Sequence, residues 1–290
     1  MKYVNKISVL LSLLAVTLFS ACNADQEGPL YTESNGLSFV SSTLNPLKIV
    51  PDSPTFTVDL LRSNTEGDLT GSVKVSASMG DTAVEGVTVS DYAFTDGENT
   101  ASITIDVSVM SIGETITVGL ALDSEDVSVG GYGETSVDVT MDYSWQSIGT
   151  GSWQDGIISS LYTGGGIDPS LTWEVEVEQA VENPAIYRAV DPYGFEICPY
   201  VAESEVVNGG PFYVQIDTTD PDNVLVPQQS LGIDWGEGTF VIGSMYYLDG
   251  TSRGGVKTGN VINLGTSVFA GMGTSAYLTS NPTILTLPAE

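Results

Sequence analysis

Between residues 37 and 143 apolar and polar positions alternate with period two. Phe56, Val58 and Leu60 interleave with Thr55, Thr57 and Asp59, and Val73, Val75 and Ala77 interleave with Ser72, Lys74 and Ser76. The series Ile103, Ile105, Val107, Val109, then Ile116, Val118, Leu120, Leu122, then Val137, Val139, Met141, continue the pattern. Each series places its apolar side chains on one face of a strand. Turn-forming runs at 63–68, 95–99 and 130–133 separate them, so residues 35–143 are expected to form a two-sheet sandwich. Beyond residue 144 the alternation resumes in Trp173–Gln179, with Glu174, Glu176 and Glu178 on one face. Residues 183–193 read as a turn, a short strand and a proline stop, and segments at 212–216, 239–248, 260–264, 266–270 and 283–287 read as further strands. The expected fold class is therefore all-β: an Ig-like sandwich, then a second sandwich or flattened barrel over 144–290.

The N-terminus follows a different pattern. A basic hexapeptide with Lys2 and Lys6 precedes an apolar run from Ile7 to Phe19, too short for a permanent membrane span. It reads as a secretion signal over residues 1–21. The small residues Ser20-Ala21 directly before Cys22 resemble the lipobox of bacterial lipoproteins, which implies cleavage before Cys22 and acylation of that residue. The alternative is an ordinary secretory signal that happens to adjoin a cysteine. Several acyl chains would give stable anchoring without a transmembrane helix. Residues 22–34 read as a polar tether. Asp25, Gln26 and Glu27 within it resemble the surface-export signal of Bacteroidetes lipoproteins, which implies a lipid-anchored protein of the outer membrane displayed at the cell surface.

Charge narrows the partners. The 290 residues carry 8 Lys plus Arg against 37 Asp plus Glu, a formal net charge of −29. Such acidity repels nucleic acid and anionic lipid. The absence of any histidine excludes Ser-His-Asp and Cys-His catalysis and the H-E-x-x-H zinc site. With Cys22 acylated, only Cys198 remains of two cysteines, so no intrachain disulfide can form. Cys198, next to Pro199, reads as a small hydrophobe; a thiol nucleophile there would lack a histidine to activate it.

Phe94-Thr95-Asp96-Gly97-Glu98 ahead of the Ile103 strand, followed by Gly113-Glu114-Thr115-Ile116-Thr117-Val118-Gly119-Leu120, resembles the Calx-β family. The resemblance covers the later half of the first domain. Its calcium sites use clustered acids at one end of the sandwich, for which Asp123, Glu125 and Asp126 are the candidates. Here Ser111-Ile112-Gly113 stands in place of the family's acidic pair, so these carboxylates read as a solvated turn and no metal is expected. The opening Trp145-x-x-x-Gly149-x-Gly151, the acidic strand after Trp173 and the Tyr187-Arg188 segment together resemble a C-terminal module of Bacteroidetes surface lipoproteins, which has no assigned activity.

All four tryptophans lie beyond residue 144. Sugar rings pack their C–H faces on aromatic rings while their hydroxyls reach carboxylates and amides. Trp153 with Asp155, and Trp235 with Glu237, offer that combination; core packing is the alternative for both tryptophans. Trp145 and Trp173 open strands and are expected to pack inward. A two-carboxylate glycosidase needs no histidine, but Glu174, Glu176 and Glu178 share one strand face and lack an opposing wall. The run Asp217–Asn223 lacks the loop glycine and terminal Glu of an EF-hand and reads as a turn. The expectation is a non-catalytic surface protein without cofactor that binds a polysaccharide through the second domain; the alternative is a structural or adhesive protein whose partner is another surface protein.

Overall fold

The computed structural model describes residues 35–164, 171–236, 238–250, 254–265, 267–272, 275–278 and 281–289. The chain divides into two compact units. Thr55–Val109 and Thr115–Val139 fall in the first, together with residues up to Leu47; the second runs from Thr140 onward and takes in Lys48–Pro54 and Met110–Glu114.

The first eleven strands are β1 (Leu37–Phe39), β2 (Leu47–Ile49), β3 (Thr55–Arg62), β4 (Leu69–Gly71), β5 (Lys74–Met79), β6 (Thr82–Ala83), β7 (Thr88–Val89), β8 (Tyr92–Phe94), β9 (Thr100–Asp106), β10 (Thr115–Ala121) and β11 (Glu134–Met141). They form a four-stranded sheet in the order β1-β3-β9-β7, a five-stranded sheet in the order β2-β11-β10-β5-β6, and a β4-β8 pair. The period-two pattern accounts for the faces. Val58, Leu60, Ile103 and Ile105 of one sheet, and Ile116, Val118, Leu120, Val137 and Val139 of the other, are all buried. This is the expected sandwich.

One buried cation holds the turns at 63–68 and 95–99 in place. Arg62, at the end of β3 and 4% exposed, donates to the carbonyls of Glu98 (2.6 Å), Gly67 (2.9 Å), Thr65 (3.3 Å) and Thr95 (2.7 Å). Its guanidinium lies 5.0 Å from the centroid of Phe94. The planar fork of five N–H donors suits such a divergent set of carbonyls. The two turns are also tied directly, since the amide of Gly67 donates to Asp96 and that of Asp96 to Asp68.

The second unit holds β12 (Trp145–Gln154), helix α1 (Ile158–Thr163), β13 (Trp173–Ala180), β14 (Ile186–Val190), β15 (Tyr213–Asp217), β16 (Gln229–Asp234), β17 (Thr239–Ser244), helix α2 (Tyr246–Asp249), β18 (Val256–Thr258), β19 (Val261–Gly265), β20 (Val268–Met272), β21 (Ser275–Tyr277) and β22 (Thr283–Thr286). A seven-stranded sheet runs β15-β14-β13-β12-β22-β19-β18, and a four-stranded sheet β16-β17-β20-β21. The edges of the larger sheet are tied together: Leu225 bridges Asp217 at the end of β15, and Val224 bridges Gly255 just before β18. That closure makes a flattened barrel. Its core is one cluster drawing Val175, Val177, Ala189, Val214, Ile262 and Leu285 from the larger sheet and Leu231, Phe240, Ile242 and Val268 from the smaller.

The glycines of the Trp145 opening have distinct duties. Gly149 sits at φ +112°, beside a register shift between Ser147 and Gly149, a conformation that favours glycine. A Cβ on Gly151 would stand 2.6 Å from the carbonyl of Thr286 and 2.7 Å from Val177, so only glycine admits β22 and the core side chain this closely. Trp145 does not pack inward as expected. It lies outside the core cluster, with the guanidinium of Arg188 stacked 4.2 Å from its ring centroid and 3.8 Å from that of Tyr213. Arg188 faces Glu178 across the β13–β14 ladder and pairs with it. Trp173 is half-buried against the core and donates to the carbonyl of Pro192 at 2.9 Å.

Candidate functional site

Strand alternation decides the fate of the first proposed pair. Gly151 and Trp153 lie on the barrel-facing side of β12, and Asp155, one residue beyond its end, is buried in the same alternation; Trp153 is fully enclosed, with Trp173 and Leu285 as cross-strand neighbours. Its ring meets Tyr193 edge to face at 5.9 Å and 86°. The expectation that Trp153 stacks on a sugar is therefore corrected: no face of the ring is open, and its large apolar surface belongs to the core.

Asp155 is likewise enclosed, at 4% exposure. Its carboxylate accepts from the backbone N–H of Ser159 in α1 at 2.6 Å and from the hydroxyl of Tyr193 at 2.6 Å, while Ser159 Oγ donates back to the Asp155 carbonyl at 2.7 Å. Asp155 thus fixes the six-residue helix onto the end of the barrel rather than receiving a ligand. Burial pushes its carboxyl above the ordinary range, against the pull of the Ser159 and Tyr193 hydrogen bonds. Burial also raises the Tyr193 phenol, and it lifts the Cys198 thiol to about 11. A thiol that stays protonated and sits 2% exposed in the core is no nucleophile.

Trp235 has the opposite fate. It follows β16 and is 38% exposed. Three contacts brace it. Its ring meets Tyr162 of α1 edge to face at 5.0 Å and the buried Phe240 of β17 at 4.8 Å, and Phe240 in turn leans on Tyr277 of β21. The indole N–H donates to Tyr162 Oη at 2.9 Å, and Tyr162 donates to Glu205 Oε2 at 2.9 Å. The amide of Ala202 donates to the same carboxylate at 2.8 Å. Burial keeps the Tyr162 phenol protonated well beyond neutral pH, and the Glu205 carboxylate adds to that shift against the pull of the indole. The loop beyond Trp235 is pinned by Asp234, whose carboxylate accepts from Gly236 at 2.6 Å and Gly238 at 3.3 Å. The result is a half-exposed aromatic platform with fixed hydrogen-bonding partners.

Other proposed residues sort quickly. Cys22 and Glu237 lie outside the described residues. Asp123 pairs with Lys74, and Asp126 accepts from Asn35 at 2.6 Å. Among the described residues no group of three acids or thiols is arranged to hold a metal. Glu174 and Glu176 are exposed, while Glu178 is engaged by Arg188. The Asp217–Asn223 run is a turn, with Asp217 accepting from the amide of Thr219 and Asp220 from that of Asp222. Sequence reasoning did not single out Tyr162 or Glu205 as site residues. Tyr162 sits on a helix too short to show periodicity, and Glu205 on a single 3-10 turn, Glu203–Glu205.

No protein-family model matches the chain, and no curated protein matches it. Among solved structures it is similar to the calcium binding domain CBD12 of CALX1.1, at 11% identity and a TM-score of 0.25, over 53% of this chain and 77% of that one. CBD12 from CALX1.2 matches at 11% identity and a TM-score of 0.27, over 53% and 78%. The titin domains z1z2 in complex with telethonin match at 11% and 0.22, over 89% and 99%.

Proposed function

We propose that this chain is a non-catalytic, lipid-anchored protein of the cell surface whose second unit captures glycan, with Trp235 as the stacking ring. The observation that carries this reading is the bracing of a 38% exposed indole by Tyr162 and Phe240. A ring already held in place loses little freedom when a sugar stacks on it, so the contact is pre-organised. Tyr162 and Glu205 supply polar atoms at its edge. The lipobox-like segment before Cys22 supports the anchor, and the net charge of −29 suits a neutral ligand better than nucleic acid.

The test is a glycan-array screen of the full chain, followed by calorimetry on the best ligand. Trp235→Ala is expected to weaken binding by roughly 1–3 kcal/mol, at least several-fold, with little dependence on salt. Unchanged affinity in the folded variant rejects the platform. Palmitate labelling that persists in Cys22→Ser rejects the anchor. A protein partner is favoured by one feature, the consecutive exposure of Tyr246, Tyr247 and Leu248 on α2. Absence of any glycan ligand across the array would move the reading to that surface.

A further inference from the structure

The barrel has a second opening. Helix α1 covers the end where β12 stops, and at the end where β12 begins lies a cleft of about 450 Å³. It is lined by Ile148, Gln179, Tyr187, Lys257, Asn260 and Leu287, with Pro288 beside them. Its size falls within the range of small-molecule sites, and mouths of β-barrels are frequent places for them.

Lys257 is what makes this cleft more than a gap. Cations are scarce in this chain, and those described elsewhere have partners: Lys48 with Asp142, Lys74 with Asp123, Arg188 with Glu178, and Arg62 with four carbonyls. Lys257 is half-buried, its ammonium 5.6 Å from the centroid of the Tyr187 ring. Among the described residues it has no carboxylate partner. Among the described residues this ammonium has only the face of the Tyr187 ring beside it, so it is available to an acceptor placed in the cleft.

The remaining lining completes a recognition pattern. Gln179 Nε2 donates to the Pro184 carbonyl at 2.7 Å and to Tyr187 Oη at 3.3 Å, which leaves the amide oxygen as an acceptor and the tyrosine proton as a donor. Asn260 Nδ2 points to the Leu287 carbonyl at 3.4 Å, so its amide oxygen is also an acceptor. One cation, one phenolic donor and two amide acceptors thus stand around an apolar wall of Ile148 and Leu287. A simple anion would leave the acceptors idle, and a neutral sugar would leave the ammonium unpaired.

We propose that this cleft binds a carboxylate-bearing polyol of uronic acid size. The carboxylate sits on Lys257 and Tyr187, the hydroxyls donate to Gln179 and Asn260, and the C–H face rests on Ile148 and Leu287. The site is separate from Trp235.

The test uses the full chain with ¹³C-labelled lysine, titrated with glucuronate, glucose and acetate and followed by NMR. Lys257 is assigned by the signal missing in Lys257→Gln. Glucuronate is expected to shift that signal saturably, at least about tenfold more tightly than glucose or acetate, as befits a hydrogen bond to a charged group. The exposed variant Asn260→Ala, which leaves the core intact, should weaken glucuronate several-fold, and Trp235→Ala should leave the titration unchanged. No saturable shift, equal shifts from acetate and glucuronate, or equal shifts at Lys48 and Lys74 would each overturn the proposal. Loss of the titration in Trp235→Ala would overturn the separateness of the two sites.

Discussion

Two tryptophans, each near a carboxylate in the sequence, end in opposite places because one lies within a strand and the other just beyond a strand's end. Trp153 falls on the inward parity of β12 and is consumed by the core, while Trp235 follows the end of β16 and keeps 38% of its surface in solvent. The same parity buries Asp155, and here a pH dependence follows. Burial raises its carboxyl above the value near 3.8 that it has when exposed, so the folded state binds the proton more tightly than the unfolded chain. The stability this contributes is fully present below the unfolded value and is lost as pH rises through the folded one. Asp155→Asn carries no such proton. The free energy of unfolding of the wild type minus that of the variant should fall as pH is raised from about 3 to 8, measured by urea melts. A rise over that interval would mean that the hydrogen bonds from Ser159 and Tyr193 outweigh burial.

At the scale of elements, Arg62 links β3 to two turns, and its removal should show how much those turns depend on it. Arg62→Met leaves four carbonyls without their donor in a nearly closed site. We expect a loss of roughly 2–4 kcal/mol in urea unfolding, with Arg62→Lys in between because an ammonium cannot reach a divergent set of acceptors. A change below about 0.5 kcal/mol would show that the Asp96 and Asp68 hydrogen bonds hold the turns unaided. The strands flanking this arrangement were legible in the sequence because each has one buried and one wet face, as in β3, β9, β10 and β11. Legibility fails where that asymmetry is missing. In β16 Leu231, Gly232 and Ile233 are buried in succession across an irregular register, so no alternation marks it. The expected strand at 239–248 stops at Ser244, and the chain turns into α2, which ends on Gly250 at φ +69°. The Trp235 platform was half legible. Its tryptophan stands out in composition, but Tyr162 and Glu205 are brought to it by long-range folding that leaves no local signal. Lys257 carried a signal in its rarity, yet only barrel closure shows that it reaches Tyr187.

At the scale of the whole molecule, the two units raise the question of whether each carries its own core. The cluster that holds the barrel together is drawn entirely from residues beyond 144, and between residues 35 and 143 the buried faces of β3, β9, β10 and β11 supply a separate set. A domain that closes its own core and satisfies its strand edges internally can fold alone. In the second unit residues 224 and 225 tie β15 to the start of β18, so those sheet edges do not depend on outside pairing. A cut between Tyr143 and Ser144 keeps both β11 and β12 whole. Fragments 35–143 and 144–290 are therefore expected to show strand-type circular dichroism and a single cooperative urea transition each, with a larger denaturant slope for the longer fragment because it exposes more surface on unfolding. The Arg62 and Asp155 effects should survive in their respective fragments with unchanged size, since distant sites add independently. An unfolded 144–290 fragment, or an Asp155→Asn effect that vanishes outside the full chain, would show that the barrel depends on the first unit for part of its stability.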